Sequence, residues 1–465
     1  MAKLSAPGPA GHFLLGNLRE FRRDALSLFT LAQGRYGDLI RLRLAHTSAY
    51  ALCHPAMAEQ SLITDTERIV KYSQIKPNWG LSLVLGKGLI MNSGDFWRKQ
   101  RELINPMFRP KTIEGFAQAM LFCADGLISR LGEITAQHKP IDISREMTRV
   151  AMEAALATMF SGSIEDDPEE LAEATKVVLR HAFDSLKNPL MPPLSWPTAR
   201  NRRFQRAIRR IDDYINGLVD DRITSGIKKD DLLGLLLEAR YPETGERMPR
   251  QQVRDEAVTM LGAGHETTAT ALTWALVQIS SNPQIVRRMR EELAQVVGTE
   301  TLTFGHLRKL PYLQAVAQET LRLYPPVPII PRAVMEETEI DGYRLPRGSM
   351  LFISVYNIHR HKDFWRNPDE FNPDRFLGDR SGQLRHRCAY IPFGAGERFC
   401  IGSNFAAVEL QIFLAKVVSA FDLCLVDAEP VNIEVAVTMR PSKPVFMTLE
   451  KTTGRQAVHQ SAQAG

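Results

Sequence analysis

The stretch FGAGERFCIG, residues Phe393–Gly402, decides the fold of this 465-residue chain. A helix is predicted directly after it, over Ser403–Ala420. A helix N-terminus carries partial positive charge and unpaired N–H groups, so we expect Cys400 to lose its proton easily and to be held as a thiolate. Glycines remove Cβ atoms where the backbone must approach a flat ligand, and Arg398 offers a charged fork to a carboxylate. The stretch therefore indicates a cradle for a planar, metal-bearing cofactor with a cysteine axial ligand.

The spacing Phe-x-x-Gly-x-Arg-x-Cys-x-Gly resembles the haem-binding signature of the cytochrome P-450 monooxygenases. The alternative is a buried free cysteine in a tight strand-to-helix turn, which is common for an isolated cysteine. Five fixed positions make a chance match rare. The resemblance extends from Gly8 to about Thr438. It implies haem b (iron protoporphyrin IX) as cofactor, with Cys400 as the iron ligand and Phe393, Gly396 and Arg398 among the haem-binding residues.

Helical periodicity dominates the rest of the chain, so the fold is predicted to be mainly α with a minor β region. The long helix Arg250–Ser281 must cross the core of a large domain, since charged residues interrupt it and rule out a membrane span. The resemblance implies the triangular P-450 prism, with this helix running across the haem. Further helices are predicted at Pro110–Leu131, Ser144–Met159, Pro168–Lys187, Arg200–Ser225, Pro283–Val297 and Leu310–Leu323. Strands are predicted near both ends, at Leu39–Leu44, Ser48–Cys53, Thr338–Asp341, Tyr343–Leu345, Met350–Val355, Leu423–Leu425 and Val445–Leu449.

Composition places the chain among ordinary globular proteins, with 44% hydrophobic and 24% charged residues. The net charge of +5 has no basic arm behind it, which argues against nucleic acid as a partner. The five cysteines are odd in number and without metal-type spacing, so a reducing cytoplasm is expected rather than a disulfide framework. We find no apolar run of the ~18–20 residues that a membrane span needs and no secretory leader. We expect a cytoplasmic monomer of bacterial type.

One continuous domain, residues 13–451, is expected between a flexible lead-in at 1–12 and a disordered tail at 452–465. No linker, low-complexity tract or internal repeat divides this span. Both terminal segments are short and rich in small or polar residues.

The middle of the long helix reads AGHETT, residues 263–268. Glycine inside a helix costs about 1 kcal/mol relative to alanine, so Gly262 and Gly264 predict a bulge or a close approach to a flat ligand. The alternative is a surface carboxylate beside threonines that bond back to carbonyls one turn earlier. The segment resembles the oxygen-activation motif of the P-450 family. That resemblance makes Thr267 the proton-delivering hydroxyl, Glu266 its acidic partner and Ala263 a haem contact.

Charged pairs elsewhere complete the resemblance. Glu319 and Arg322 share a helix face, and the family joins such a pair to an arginine like Arg375 in a buried three-charge lock. Trp97 and Arg101 match a Trp-x-x-x-Arg helix that suits haem propionates, and Arg332 falls where the family offers another propionate ligand. Without that context these residues read as an ordinary helix pair and a buried tryptophan beside a solvated arginine.

The chain has no dinucleotide fingerprint and no ferredoxin cysteine set, so electrons from NADPH are expected to come through a separate ferredoxin or flavodoxin and its reductase. A basic surface beside the haem is predicted to dock that carrier, with a plain solvated face as the alternative. Its residues are Arg98, Lys99, Arg109, Lys111, Arg385 and Arg387.

The resemblance implies a haem-thiolate monooxygenase that uses O2 to hydroxylate or epoxidise a hydrophobic small molecule. A peroxide-driven or non-oxygenating haem-thiolate enzyme and a haem sensor or carrier are the alternatives, and the acid–alcohol pair argues against both. Fatty acids, terpenoids and polyketides all remain open as substrates. The predicted pocket walls are Leu81–Leu85, the segment between Phe183 and Trp196, Leu261–Ala263, Val327–Ile330 and Ala436–Met439, with residues 189–197 as a lid.

Overall fold

Helix α11, Arg250–Ser280, is buried on nearly every side along most of its length, and its buried residues include charged as well as apolar side chains. It lies at the centre of the computed structural model, which describes residues 5–71, 80–162, 168–187, 191–241, 243–378 and 386–452. The helices, α1–α16 in chain order, are Leu18–Arg23, Ala25–Tyr36, Pro55–Glu59, Ser82–Leu85, Gly94–Ile104, Pro110–Thr135, Ile143–Met159, Pro168–Lys187, Ala199–Ser225, Leu232–Glu238, Arg250–Ser280, Pro283–Val296, Phe304–Leu307, Pro311–Leu323, Val355–Ile358 and Ser403–Ala420. Within the described ranges, none of these helices is both long and apolar enough to span a bilayer.

The strands form small sheets at the edges of the helical body. They are, as β1–β12, Leu39–Leu44, Thr47–Leu52, Ile69–Val70, Ile141–Asp142, Ile329–Val334, Thr338–Ile340, Tyr343–Leu345, Met350–Ser354, Phe421–Leu425, Ile433–Val435, Met439–Pro441 and Phe446–Lys451. The largest sheet has the order β1-β2-β8-β5-β3, with β2 and β8 parallel and the other pairs antiparallel. A three-stranded sheet has the order β4-β12-β9, and β6-β7 and β10-β11 are two-stranded.

The predicted mainly α fold with a minor β region is confirmed, and the predicted helices agree with the observed ones to within a few residues. Proline at the first turn starts α6, α12 and α14, as their sequences indicate. The prediction missed several short elements, among them α4, α10 and β5. Short segments bury too few residues to show a clear period.

The described part of the lead-in packs beside strand β1. Arg41 donates its N–H to Pro7 O at 2.8 Å, and Ala6 is buried. Gly8 lies so close to this strand that an added Cβ would be 1.9 Å from Arg41 O. The predicted disordered tail from 453 onward lies outside the described residues.

Candidate active site

The turn at residues 393–402 presents Cys400 at the start of α16. The Cys400 N–H donates to Phe393 O at 2.9 Å, which closes the turn. Gly396 has a φ of +71°, and an added Cβ there would lie 2.1 Å from Leu62 O. The close approach that the protein atoms show at this glycine is to the helical segment at Leu62. Phe393 is half-buried and packs against Phe399, with ring centroids 6.3 Å apart.

The Cys400 thiol is solvent-accessible, yet the surrounding protein atoms change its acidity. Desolvation raises the pKa of Cys400, and the Gly402 N–H and the Arg101 charge lower it by less. A bound metal ion would oppose this effect, because a coordinating thiol is deprotonated.

Cys388, the nearest other cysteine in the sequence, is a poorer ligand. Cys388 is buried among Leu62, Ile358 and Ile391, and burial raises its pKa to about 11. Its sulfur lies in an apolar cluster rather than at an accessible face.

A group of cations lies beside this turn. Lys71 donates to Ile90 O, and Arg398 donates to Asn92 O at 2.9 Å. Arg332 is only 9% exposed on β5. Burial first, and then their mutual repulsion, lower the pKa of Lys71 and the pKa of Arg398, the latter to about 10, while burial alone lowers the pKa of Arg332 to about 10. Lys71 was not recognised in the sequence, since a lone lysine beside a short strand carries no pattern.

Helix α5 packs against the cation group and contributes one of its members, Arg101. Trp97 is 5% exposed, and the Arg398 guanidinium lies over its ring, 3.7 Å from the centroid. Arg101, one turn later, donates to Asn105 Oδ1 at 3.2 Å, and desolvation lowers its pKa. Within the described part of the chain, none of Lys71, Arg101, Arg332 or Arg398 forms a salt bridge, so the group carries uncompensated positive charge in a poorly solvated place.

The predicted charge lock is confirmed. Arg322 and Glu319 are fully buried and bonded bidentately, with Nε–Oε2 at 2.6 Å and Nη2–Oε1 at 2.8 Å. Arg375 Nε lies 3.2 Å from Glu319 Oε1. Arg322 also donates to the carbonyls of His359, Pro368 and Glu370 at 2.6–3.0 Å.

His359 connects this lock to the Cys400 turn, and sequence reasoning missed it. Its Nδ1 lies 3.0 Å from Arg322 O, and its Nε2 accepts the Ile391 N–H at 2.8 Å. The first of these partners requires Nδ1–H, which leaves Nε2 as the acceptor. Burial lowers the pKa of His359 to about 3, so the ring stays neutral and keeps both bonds.

The central helix shows no bulge, although one was predicted at Gly262 and Gly264. It is a continuous α-helix, and an added Cβ on Gly264 would lie 3.2 Å from Met159 Cε on α7. Gly264 therefore allows α7 to pack closely, while Gly262 faces open space. The close approach is to a neighbouring helix.

The two residues of the predicted acid–alcohol pair point in different directions. Thr267 Oγ1 donates to Ala263 O at 2.8 Å, and both residues are half-buried. Glu266 is 7% exposed and accepts from Thr438 Oγ1 at 3.1 Å, with Arg440 Nη1 at 4.0 Å. The back-bonded threonine is thus observed together with a carboxylate that is buried rather than on the surface.

Comparison with known proteins agrees with this geometry. The sequence profile described as cytochrome P-450 matches residues 6–449. The chain belongs to the cytochrome P-450 family. It is 33% identical to cyclooctatin synthase of Streptomyces melanosporofaciens over 417 residues, which is 88% of each protein. It is 32% identical to cyclooctat-9-en-7-ol 5-monooxygenase of the same organism, over 90% of this chain and 89% of that one. It is 29% identical to pentalenene oxygenase of Streptomyces avermitilis, over 97% of this chain and 98% of that one.

Cytochrome P-450 proteins are haem-thiolate oxidoreductases, and this chain is a monooxygenase of that family. The observed residues fit such a haem. Its two propionates carry the negative charge that Lys71, Arg101, Arg332 and Arg398 lack, and its iron requires an accessible thiol. In this P-450 the cations lie beside the turn that presents Cys400, and Arg398 belongs to that turn.

An apolar recess lies between α4, α8, α9 and α11. Apart from Thr175 and Gly262, the side chains that line it are hydrocarbon, and Thr175 Oγ1 already donates to Leu171 O at 3.0 Å. This agrees with the predicted walls at Leu81–Leu85 and Leu261. Residues 327–330 and 436–439 and the described residues between Phe183 and Trp196 do not line it, and 189–190 of the predicted lid lie outside the described residues. The lining residues are Leu81, Val84, Leu85, Thr175, Val178, Leu179, Ile211, Val258, Leu261 and Gly262.

The predicted basic surface is partly neutralised. Arg98 pairs with Asp95 at 2.6 Å, Lys99 pairs with Glu243 at 2.9 Å, and Arg387 pairs with Glu59. Arg109 and Lys111 are exposed and form no salt bridge with any other described residue. They stand at the start of α6, next to Phe108, which faces Gly402. Arg385 lies outside the described residues.

A second group of possible metal ligands, Asp38, His54 and His361, lies between the edge of the large sheet and the segment after α15. Its atoms already have partners. His361 Nε2 is 3.2 Å from Asp38 Oδ1, and Gln33 donates to the same oxygen at 2.8 Å. His54 Nδ1 accepts the Ala56 N–H at the start of α3. These bonds assign the group a structural role.

Proposed function

We propose that this P-450 binds haem b through Cys400 and inserts one oxygen atom of O2 into an unactivated bond of an apolar, uncharged substrate. The observation that carries the proposal is the exposed Cys400 beside a partly buried group of cations that form no salt bridge with any described residue. A planar dicarboxylate with a central metal satisfies both features at once.

The haem, when bound, supplies the dioxygen chemistry that its thiolate ligand favours. The protein then has three tasks, which are to hold the group, to exclude water and to move protons. Arg101, Arg332, Arg398 and Lys71 would bind the propionates, with Trp97 supporting Arg398. Ala263, Phe393 and Gly396 would form the walls around the ring.

Proton delivery is proposed for Thr267 Oγ1. That hydroxyl faces the half-buried side of α11, where it donates to Ala263 O. The hydroxyl can give up its bond to Ala263 O and donate instead to a ligand bound beside this part of α11. Glu266, the adjacent residue, would resupply the proton. Its carboxylate is bonded to Thr438 and lies near Arg440, so it would first have to leave these two partners.

The composition of the recess supports an uncharged terpenoid-like hydrocarbon as the substrate. No cation lines the recess to pair with a fatty-acid carboxylate, and the one hydroxyl present, on Thr175, is already bonded. Relatives named cyclooctatin synthase and pentalenene oxygenase add support for this class.

Electrons are proposed to come from NADPH through a separate ferredoxin or flavodoxin. The exposed pair Arg109 and Lys111 adjoins the Cys400 turn through Phe108, which would place an acidic carrier near the thiolate side. A carrier or sensor would have no use for the Thr267 hydroxyl. Its accessible position therefore favours turnover over these alternatives.

The test is the spectrum of the reduced protein with carbon monoxide. The wild type should show the strongly red-shifted Soret band of thiolate-ligated haem. Cys400→Ala should lose it, whereas Cys388→Ala, the matched control at a buried thiol, should keep it. A red-shifted band that survives in Cys400→Ala would overturn the assignment.

A further inference from the structure

Residues 86–89, here called the 86–89 turn, are held against α11 by buried polar contacts that the chemistry at Cys400 does not use. Lys87 donates its N–H to Asp255 Oδ2 at 2.8 Å, and Leu89 donates its N–H to Glu256 Oε2 at 2.9 Å. Gln252 Nε2 donates to Lys87 O at 2.8 Å. The backbone of the turn is therefore bonded to α11 through both donors and acceptors.

The acids that receive these bonds are deeply buried. Asp255 is 3% exposed and Glu256 is fully buried. A buried carboxylate is stable only when it is well paired, and Asp255 meets this condition because Arg254 Nη1 lies 2.9 Å from its Oδ1. Gln252 gives Glu256 a second bond, at 2.8 Å.

Arg254 extends the network to two further elements. Its Nη1 donates to Val84 O in α4 at 2.6 Å, and its Nε donates to Asp212 Oδ1 in α9 at 2.8 Å. One guanidinium thus joins α4, α9 and α11.

Two glycines make the close fit of the turn possible. Gly86 has a φ of +49°, and an added Cβ would lie 2.2 Å from Asp255 Oδ2. An added Cβ on Gly88 would lie 1.9 Å from Thr259 Oγ1. A side chain at either position would push the turn away from α11.

The same elements form the apolar recess. Val84 and Leu85 immediately precede the turn, Ile211 is adjacent to Asp212, and Val258 lies one helical turn beyond Arg254. The polar network therefore lies directly behind three walls of the recess. Its bonds fix the distance between those walls.

We propose that Asp255 and Glu256 are positioning residues that fix the wall formed by Leu81, Val84 and Leu85 and thereby determine substrate specificity. The proposal rests on the proposed function, since it needs a haem whose ligands enter this recess. Neither acid contacts the reacting atoms. They act through the backbone of the 86–89 turn.

The test compares two azoles that bind haem iron through the same imidazole nitrogen. Imidazole itself is small, whereas clotrimazole carries a bulky apolar group, which is large enough to reach the walls of the recess. In haem-loaded Asp255→Ala, we expect the clotrimazole dissociation constant to rise about tenfold, as for the loss of a buried charged hydrogen bond. The imidazole constant should stay within about twofold of the wild type.

The matched control is Asp220→Asn, which breaks an exposed pair between α9 and α11, Asp220 with Arg250 at 2.6 Å, without touching the turn. It should leave both constants unchanged. Asp255→Asn and Glu256→Gln, which keep the side-chain shape, should show smaller effects than the alanine variants. A clotrimazole-to-imidazole ratio that is the same in the wild type and Asp255→Ala would overturn the proposal.

A double-mutant cycle locates the effect. Gly86→Ala disturbs the same contact from the turn side, so combining it with Asp255→Ala should add little to either single effect. Fully additive effects would mean that the two changes act at separate places, against the proposal. Hydrogen exchange on the wild type needs no variant to fold. The Lys87 and Leu89 amides should exchange as slowly as amides inside α11. Fast exchange would also refute the proposed anchoring of the 86–89 turn.

The outcomes separate this inference from the proposed function. A wild type without the red-shifted carbon monoxide band would refute haem-thiolate ligation and with it both proposals. The wild type could instead show that band and bind clotrimazole tightly, while Asp255→Ala binds it equally well and the turn amides exchange fast. That result would refute only the proposed role of the 86–89 turn.

Discussion

Removing Glu319 should destabilise the protein and release haem, because water cannot reach the buried lock to solvate the charge of Arg322 in place of the lost carboxylate. Glu319 and Arg322 have fully buried side chains, and Glu319 accepts from Arg322, from Arg375 and from the Asn372 N–H at 2.8 Å. In Glu319→Ala, the Arg322 charge keeps three carbonyl partners but loses its only carboxylate among the described residues. Stranding a buried charge in this way costs about 3–5 kcal/mol of unfolding free energy.

The corresponding shift in melting temperature follows from the chain length. An unfolding entropy of about 2.1 cal/mol/K per residue over 465 residues gives ~1 kcal/mol/K, so Glu319→Ala should melt about 3–5 °C lower. Haem loss should accompany this shift, because Arg322 O holds His359, and His359 holds the Ile391 N–H at the base of the Cys400 turn.

The assay is thermal unfolding together with the haem-to-protein ratio after gel filtration. Asp374→Asn is the matched control, since Asp374 lies beside Arg375 but pairs with Arg288 in solvent, at 2.8 Å with side chains 53% and 44% exposed. That change should cost less than about 1 kcal/mol and leave haem content normal. Equal melting temperatures and haem ratios in Glu319→Ala and Asp374→Asn would refute the reasoning.

Three further predictions concern protons, electrons and pH. Thr267→Ala should retain haem reduction but turn over with less product and more hydrogen peroxide per NADPH, and unchanged coupling would contradict the proton role of its hydroxyl. Arg109→Glu with Lys111→Glu should slow reduction by an acidic ferredoxin most strongly at low salt, whereas Lys139→Glu, ~39 Å away at the far end of the 26-residue α6, should not; equal effects would remove the docking surface. Glu409 is buried, and neither of its carboxylate oxygens has a hydrogen-bond partner within the described residues, since the nearby Thr268 hydroxyl donates to Gly264 O. Burial raises the pKa of Glu409 to about 8. The folded state therefore binds the extra proton between about pH 4.5 and 8, so wild-type stability should fall as pH rises through this window; Glu409→Gln should melt higher than the wild type at pH 8 and show little gain at pH 5, and a gain independent of pH would contradict this.

The sequence by itself determined the features that depend on local pattern. Helix periods, proline at first turns and the Cys400 phrase all act over a few residues, so the helices, the family and the lock partners Glu319, Arg322 and Arg375 could be predicted. The prediction of the lock was correct because it combined a helix pair with a motif that specifies the distant partner of that pair.

Only the tertiary structure decided what each glycine and each cation contacts. Gly396 is required by Leu62 O and Gly264 by Met159, although both were attributed to a flat ligand. Lys71, His359 and the Asp255 contact with the 86–89 turn join positions far apart in the chain, and no local period encodes such meetings. The surroundings of Cys400 likewise depend on the whole fold. A helix N-terminus can be seen in a sequence, whereas the desolvation that raises the pKa of the Cys400 thiol comes from atoms that are distant in the chain.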